Sequence, residues 1–133
     1  MERSWTSEVG EGRARTCLIV EDAALIGMAM ESYLEDQGFE CATVGSAHQG
    51  AAWLDRHAPS VAIVDYQLAD GPCTELLPML RARGVPFLIY SGSRRQTSGE
   101  LRDAIWISKP ASRATLLDAV ESLVEGTTPR QAA

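Results

Sequence analysis

Five side chains suited to phosphorus chemistry each stand at or just beyond the end of an apolar run. Glu21 and Asp22 follow Cys17-Leu18-Ile19-Val20, and Asp65 follows Val61-Ala62-Ile63-Val64. Ser91 closes the run from Pro86 to Tyr90, and Lys109 comes just after the run from Ala104 to Ile107. Three carboxylates in one pocket repel one another. A hard divalent cation resolves that repulsion, and an oxygen-only ligand set favours Mg2+. Asp65 is then a candidate nucleophile toward phosphorus, because an aspartyl phosphate is a known covalent outcome for such a carboxylate. A cation and the Lys109 ammonium would neutralise the three phosphoryl oxygens, and the Ser91 hydroxyl could donate a hydrogen bond to one of them.

These groups meet only if the runs are strands of one parallel sheet. Short, near-continuous apolar runs suit strands buried on both faces. Glu40 to Val44 predicts a further strand. Ile26, Ala29, Met30, Tyr33 and Leu34 fall at i, i+3, i+4, i+7, i+8 spacing, which predicts a helix ended by Gly38. A second helix is predicted over Ala47 to His57, with Ser46 as its N-cap. A third is predicted from near Thr74 to Arg83. It holds Pro78 early, where helical N–H groups lack intrahelical partners anyway. Ser112 caps a last helix whose inner face is Leu116, Leu117, Val120, Leu123 and Val124. The stretch from Gly92 to Gly99 has almost no apolar periodicity, which predicts a loop or at most one or two turns. Strands alternating with helices imply βαβ units, hence an α/β fold with a doubly wound five-stranded parallel sheet in three layers. Ligands of such sheets bind outside the carboxyl ends of the strands.

The bulk properties agree. A chain of 133 residues suits one domain, and 45% hydrophobic with 23% charged residues is ordinary for a globular one. A net charge of −6 argues against a nucleic-acid binder. No apolar run is long enough to span a bilayer, and the polar N-terminus has no signal core, so a cytoplasmic location is expected. Cys17, Cys41 and Cys73 are odd in number and widely spaced, which predicts small buried thiols rather than disulfides or a zinc site. Residues 1–14 read as a flexible lead-in, 15–125 as the folded domain and 126–133 as a tail.

In order, type and spacing the pattern resembles the receiver domain of two-component response regulators. The resemblance rests on Glu21-Asp22, on Asp65 in Val64-Asp65-Tyr66-Gln67-Leu68, on Ser91-Gly92 and on Lys109-Pro110, and it covers Thr16 to Glu125. It implies a flavodoxin-like sheet of strand order 2-1-3-4-5. It implies Asp65 as phosphoacceptor, with Mg2+ held by the side chains of Asp22 and Asp65, by Glu21 largely through water and by the backbone carbonyl of Gln67. It implies a sensor histidine kinase or histidine phosphotransfer protein as donor, Ser91 moving toward the phosphoryl group, and an aromatic switch on the fifth strand at the position of Trp106. Tyrosine or phenylalanine is usual there, and Trp106 is bulkier. The short segment after Ser91, Gly-Val-Pro-Phe before the fourth strand and Pro78 resemble an atypical subgroup with a shortened fourth helix, found alone or linked to HWE-type histidine kinases. A homodimer stays open, since that segment removes part of a surface the family often uses for pairing.

Plainer readings stand beside these. Asp65 alone would cap a turn, and Glu21-Asp22 would suit a helix N-terminus. Lys109 would be a surface lysine, Ser91 a turn residue, and Trp106 and Trp53 packing. His48 and His57 lack partners at ligand spacing, and Arg94-Arg95 reads as a solvated loop pair. Competing functions are a metal-dependent phosphohydrolase with an aspartate nucleophile, or a receiver-shaped module that is never phosphorylated. Haloacid-dehalogenase-type phosphatases need an aspartate where Gln67 stands, which counts against the first and leaves a signalling module rather than an enzyme expected, and the intact acidic pair, Asp65 and Lys109 argue against the second.

Overall fold

In this computed structural model, residues 15–126 are described. The flexible lead-in expected at 1–14, with Trp5, and all but Gly126 of the tail expected at 126–133 lie outside them. Within the described residues, five parallel strands form one sheet: β1 (Arg15–Val20), β2 (Phe39–Val44), β3 (Val61–Val64), β4 (Phe87–Ser91) and β5 (Ile105–Ser108). Their order is β2-β1-β3-β4-β5, as the resemblance implied. The helices are α1 (Ala24–Glu35), α2 (Ala47–Leu54), α3 (Leu77–Ala82) and α4 (Arg113–Val124).

The period of two along each strand sorts the core into two layers. Leu18, Val20, Ala62, Val64, Ile89 and Trp106 face α2 and α3. Cys17, Ile19, Ile63, Leu88, Tyr90 and Ile107 face α1 and α4. Ser46 and Ser112 cap α2 and α4 as expected, accepting from the N–H groups of Gln49 and Thr115. Gly38, with φ of +87°, sits in the left-handed region that ends the turn after α1.

Several boundaries differ from expectation: β1 begins at Arg15 rather than Cys17 and β2 at Phe39 rather than Glu40. α2 ends at Leu54 rather than His57, because Arg83 Nη1 donates to the Leu54 carbonyl at 2.9 Å and supplies from outside the partner that another helical turn would give. The expected third helix is split into a 3-10 turn at Cys73–Glu75 and α3 from Leu77. Pro78 stands at the start of α3, where its missing N–H leaves no partner unmet. β4 and β5 each begin and end one residue later than expected, so Ser91 and Ser108 are their last residues.

Between β4 and β5 no α-helix is present among the described residues; a 3-10 turn at Gly99–Leu101 stands alone, within the length expected. The sheet face there still needs a cover. Leu101, Ala104 and the large side chain of Trp106 join the core and supply it. Arg81 ties the turn to α3, with Nη1 bonded to Glu100 Oε1 and Nη2 to the Glu100 carbonyl, both at 2.6 Å.

Candidate active site at the carboxyl ends of the strands

Ladder bonds carry the strands to the point where the chemistry begins. Glu21 N–H donates to the Val44 carbonyl at 2.8 Å, Asp65 N–H to Val20 at 2.9 Å and Lys109 N–H to Ser91 at 2.9 Å. These bonds tie β2, β1 and β3 together and β5 to β4, and the β3–β4 ladder joins the two groups, so the strands are in register just where Glu21, Asp65, Ser91 and Lys109 emerge. The Lys109-Pro110 peptide is cis.

Glu21, Asp22 and Asp65 each offer a carboxylate oxygen within 4.8 Å of the others. Glu21 and Asp65 are 4% and 8% exposed, while Asp22 stands open to solvent at the mouth. Lys109 Nζ bridges the two buried acids, 2.6 Å from Glu21 Oε1 and 2.9 Å from Asp65 Oδ2. The other Glu21 oxygen accepts the Ala23 N–H at 3.0 Å. Burial holds the Glu21 carboxyl above the ordinary glutamate range; the bonds from Lys109 and Ala23 oppose this, and the Asp65 charge adds to it. Burial also works against the Lys109 ammonium, but bonds and charges from Glu21 and Asp65 outweigh it and hold the group above the usual lysine range. One ammonium thus faces three carboxylates. The excess negative charge, the all-oxygen donor set and one acid open to solvent fit a hard divalent cation such as Mg2+.

Ser91 is 1% exposed, and its Oγ accepts the Ser93 N–H at 3.2 Å. Gln67 lies exposed two residues beyond Asp65, in a two-rung antiparallel ladder with residues 71 and 72. Trp106 is already turned into the core at 3% exposure, and its Nε1 has no hydrogen-bond partner among the described residues. Its ring lies 5.6 Å from that of Tyr66, the residue after Asp65.

Two contributors escaped the sequence. Asp70, on the loop after β3, accepts the Ala47 and His48 N–H groups at 3.0 Å each, clamping that loop to the first turn of α2. Tyr90 reaches the loop that carries Lys109. Asp70 itself, in the Asp70-Gly71-Pro72 turn, is the weak signal that could have flagged a cap, but the partner helix starts 23 residues earlier.

Comparisons with known proteins agree with this geometry. A family model described as the response regulator receiver domain matches residues 17–121. A receiver domain protein of Methanospirillum hungatei is 25% identical with a TM-score of 0.77, covering 85% of this chain and 95% of its own. A response regulator receiver protein of Sinorhizobium medicae is 26% identical with a TM-score of 0.77, covering 84% and 95%. The receiver domain of a Pseudomonas aeruginosa sensor histidine kinase, 19% identical with a TM-score of 0.69 over 84% and 98%, has a magnesium ion coordinated in its active-site cleft. No significant match was found among curated protein sequences.

Proposed function

The chain belongs to the response regulator receiver domain family and is a phosphoacceptor module of two-component signalling, and from that premise we propose that Asp65 is the residue that takes the phosphoryl group. The observation that carries this reading is the Lys109 ammonium 2.9 Å from Asp65 Oδ2, inside a cluster of three carboxylates. An Asp65 oxygen forms the bond to phosphorus as the P–N bond of a phosphohistidine breaks, and the leaving imidazole keeps its electron pair and takes up a proton from solvent. Lys109, already held beside Asp65 Oδ2, turns to a phosphoryl oxygen. Ser91 Oγ accepts from Ser93, so its own proton remains to be donated to another.

Asp22 and Asp65 would hold Mg2+ through their side chains, Glu21 largely through water and Gln67 through its backbone carbonyl. Mg2+ bound there supplies charge neutralisation at the phosphoryl oxygens. The donor is a sensor histidine kinase or histidine phosphotransfer protein. Receiver domains are in general signalling modules rather than enzymes turning over a free substrate, and this one is read the same way. The cytoplasm is the reducing compartment that suits three buried thiols outside any disulfide, and no helix among the described residues is long and apolar enough to cross a membrane. The 3-10 turn standing where a fourth helix would lie supports the subgroup with that helix shortened.

The test is intact-mass measurement after incubation with Mg2+ and acetyl phosphate. One added phosphoryl group is expected, absent in Asp65→Asn and absent when the metal is chelated. An adduct that persists in Asp65→Asn would overturn the assignment.

A further inference from the structure

Tyr90 precedes Ser91 in β4 and is 6% exposed, on the face of the sheet that packs against α1 and α4. An apolar side chain would satisfy that packing, yet this one carries a hydroxyl, whose oxygen accepts the Ala111 N–H at 3.1 Å. Ala111 lies two residues after Lys109. The Tyr90 ring also lies beneath the Lys109 ammonium, with Nζ 5.7 Å from the ring centroid, inside the range of a cation–π attraction. One side chain thus holds both the backbone that follows Lys109 and the charge at its tip. A long, flexible lysine side chain has much rotamer freedom to lose when fixed, so such holds matter for where Nζ rests.

We propose that Tyr90 is a positioning residue for Lys109, fixing the 109–111 loop through its hydroxyl and the ammonium through its ring, so that Nζ stays beside Asp65. The proposal rests on the reading of Asp65 and Lys109 given above. Tyr90 meets the Ala111 N–H and the Lys109 ammonium rather than either acid, and acts through Lys109.

The test is a double-mutant cycle over the unaltered chain, Tyr90→Phe, Lys109→Met and the double variant. It reads the rate of adduct formation from acetyl phosphate and the Mg2+ dissociation constant by calorimetry. Tyr90→Phe keeps the ring and the packing. It is expected to slow adduct formation about fivefold, the rate equivalent of one net hydrogen bond. It is also expected to tighten Mg2+ binding, because a loosened ammonium competes less for the Glu21 and Asp65 oxygens. In the Lys109→Met background the same change should leave Mg2+ affinity where Lys109→Met has set it. Equal Mg2+ shifts in both backgrounds, or no shift and no slowing with Lys109 present, would overturn the proposal. Absence of any adduct on the unaltered chain would overturn the phosphoacceptor reading instead, and the Mg2+ cycle would still decide whether Tyr90 holds Lys109.

Discussion

Asp70 shows how much one side chain outside the acidic cluster contributes to placing it. Its carboxylate accepts two N–H groups at the start of α2, and those bonds hold its pKa below the ordinary aspartate range. A depressed folded pKa means that the stabilisation is complete above the unfolded value of 3.8 and is lost as pH falls through the folded one. Asp70→Asn is therefore expected to melt below the unaltered chain at neutral pH, with the gap closing between roughly pH 5 and pH 2. Thermal melts across that range check this, and a gap independent of pH would mean that charge is not what the clamp uses. The same substitution should slow phosphorylation less than Lys109→Met does, because Asp70 holds the loop after Asp65 and not the reacting atoms.

At the scale of elements, the segment from Gly92 to Ala104 does a helix's work with two apolar anchors, Leu101 and the smaller Ala104, and one ion pair. Leu101 is 4% exposed in the cluster that contains Trp106, and Arg81 holds Glu100 from α3. Leu101→Ala is expected to cost about 3 kcal/mol, read from denaturant unfolding, with faster hydrogen exchange concentrated in residues 92–104. Exchange that rises evenly over the chain would show that this segment opens only with the rest. The same contrast explains what could be read in advance. The strands that carry the site were legible because each centres on a short, largely buried apolar run, so Asp65 and Lys109 could be placed just beyond their ends from residue type alone. Ser46 and Ser112 were legible because a cap and its helix are adjacent. The end of α2 and the roles of Asp70 and Tyr90 were not, since each depends on a bond to a residue 21 or more positions away; the split before α3 was not either, because it turns on one short-range bond, from the Leu76 N–H to the Cys73 carbonyl. Trp106 was legible as a strand aromatic with packing as one of its two readings, and the missing helix beside it was expected, but its ring contact with Tyr66 was not.

For the whole molecule, the three thiols report on both layers of the sheet at once. Cys17 and Cys41 are neighbours in register across β1 and β2, on the side covered by α1 and α4, while Cys73 lies on the side covered by α2 and α3. Burial pushes the Cys17 thiol well up and the Cys73 thiol up to about 12, so almost no thiolate is present at neutral pH and a reagent must wait for opening. A domain with one sheet and cores on both faces should open as a unit, and all three thiols should then label at one slow rate. Anything that binds only the folded chain lowers the open population, so Mg2+ at a hundred times its dissociation constant should slow labelling about a hundredfold when closing outpaces the reagent. Asp22→Ala removes an exposed member of the acidic cluster and should weaken that protection without exposing a thiol. If Cys73 instead labels faster than Cys17 and ignores Mg2+, the α2 and α3 layer opens by itself, and protection of that layer could not be coupled to cation binding at Asp65.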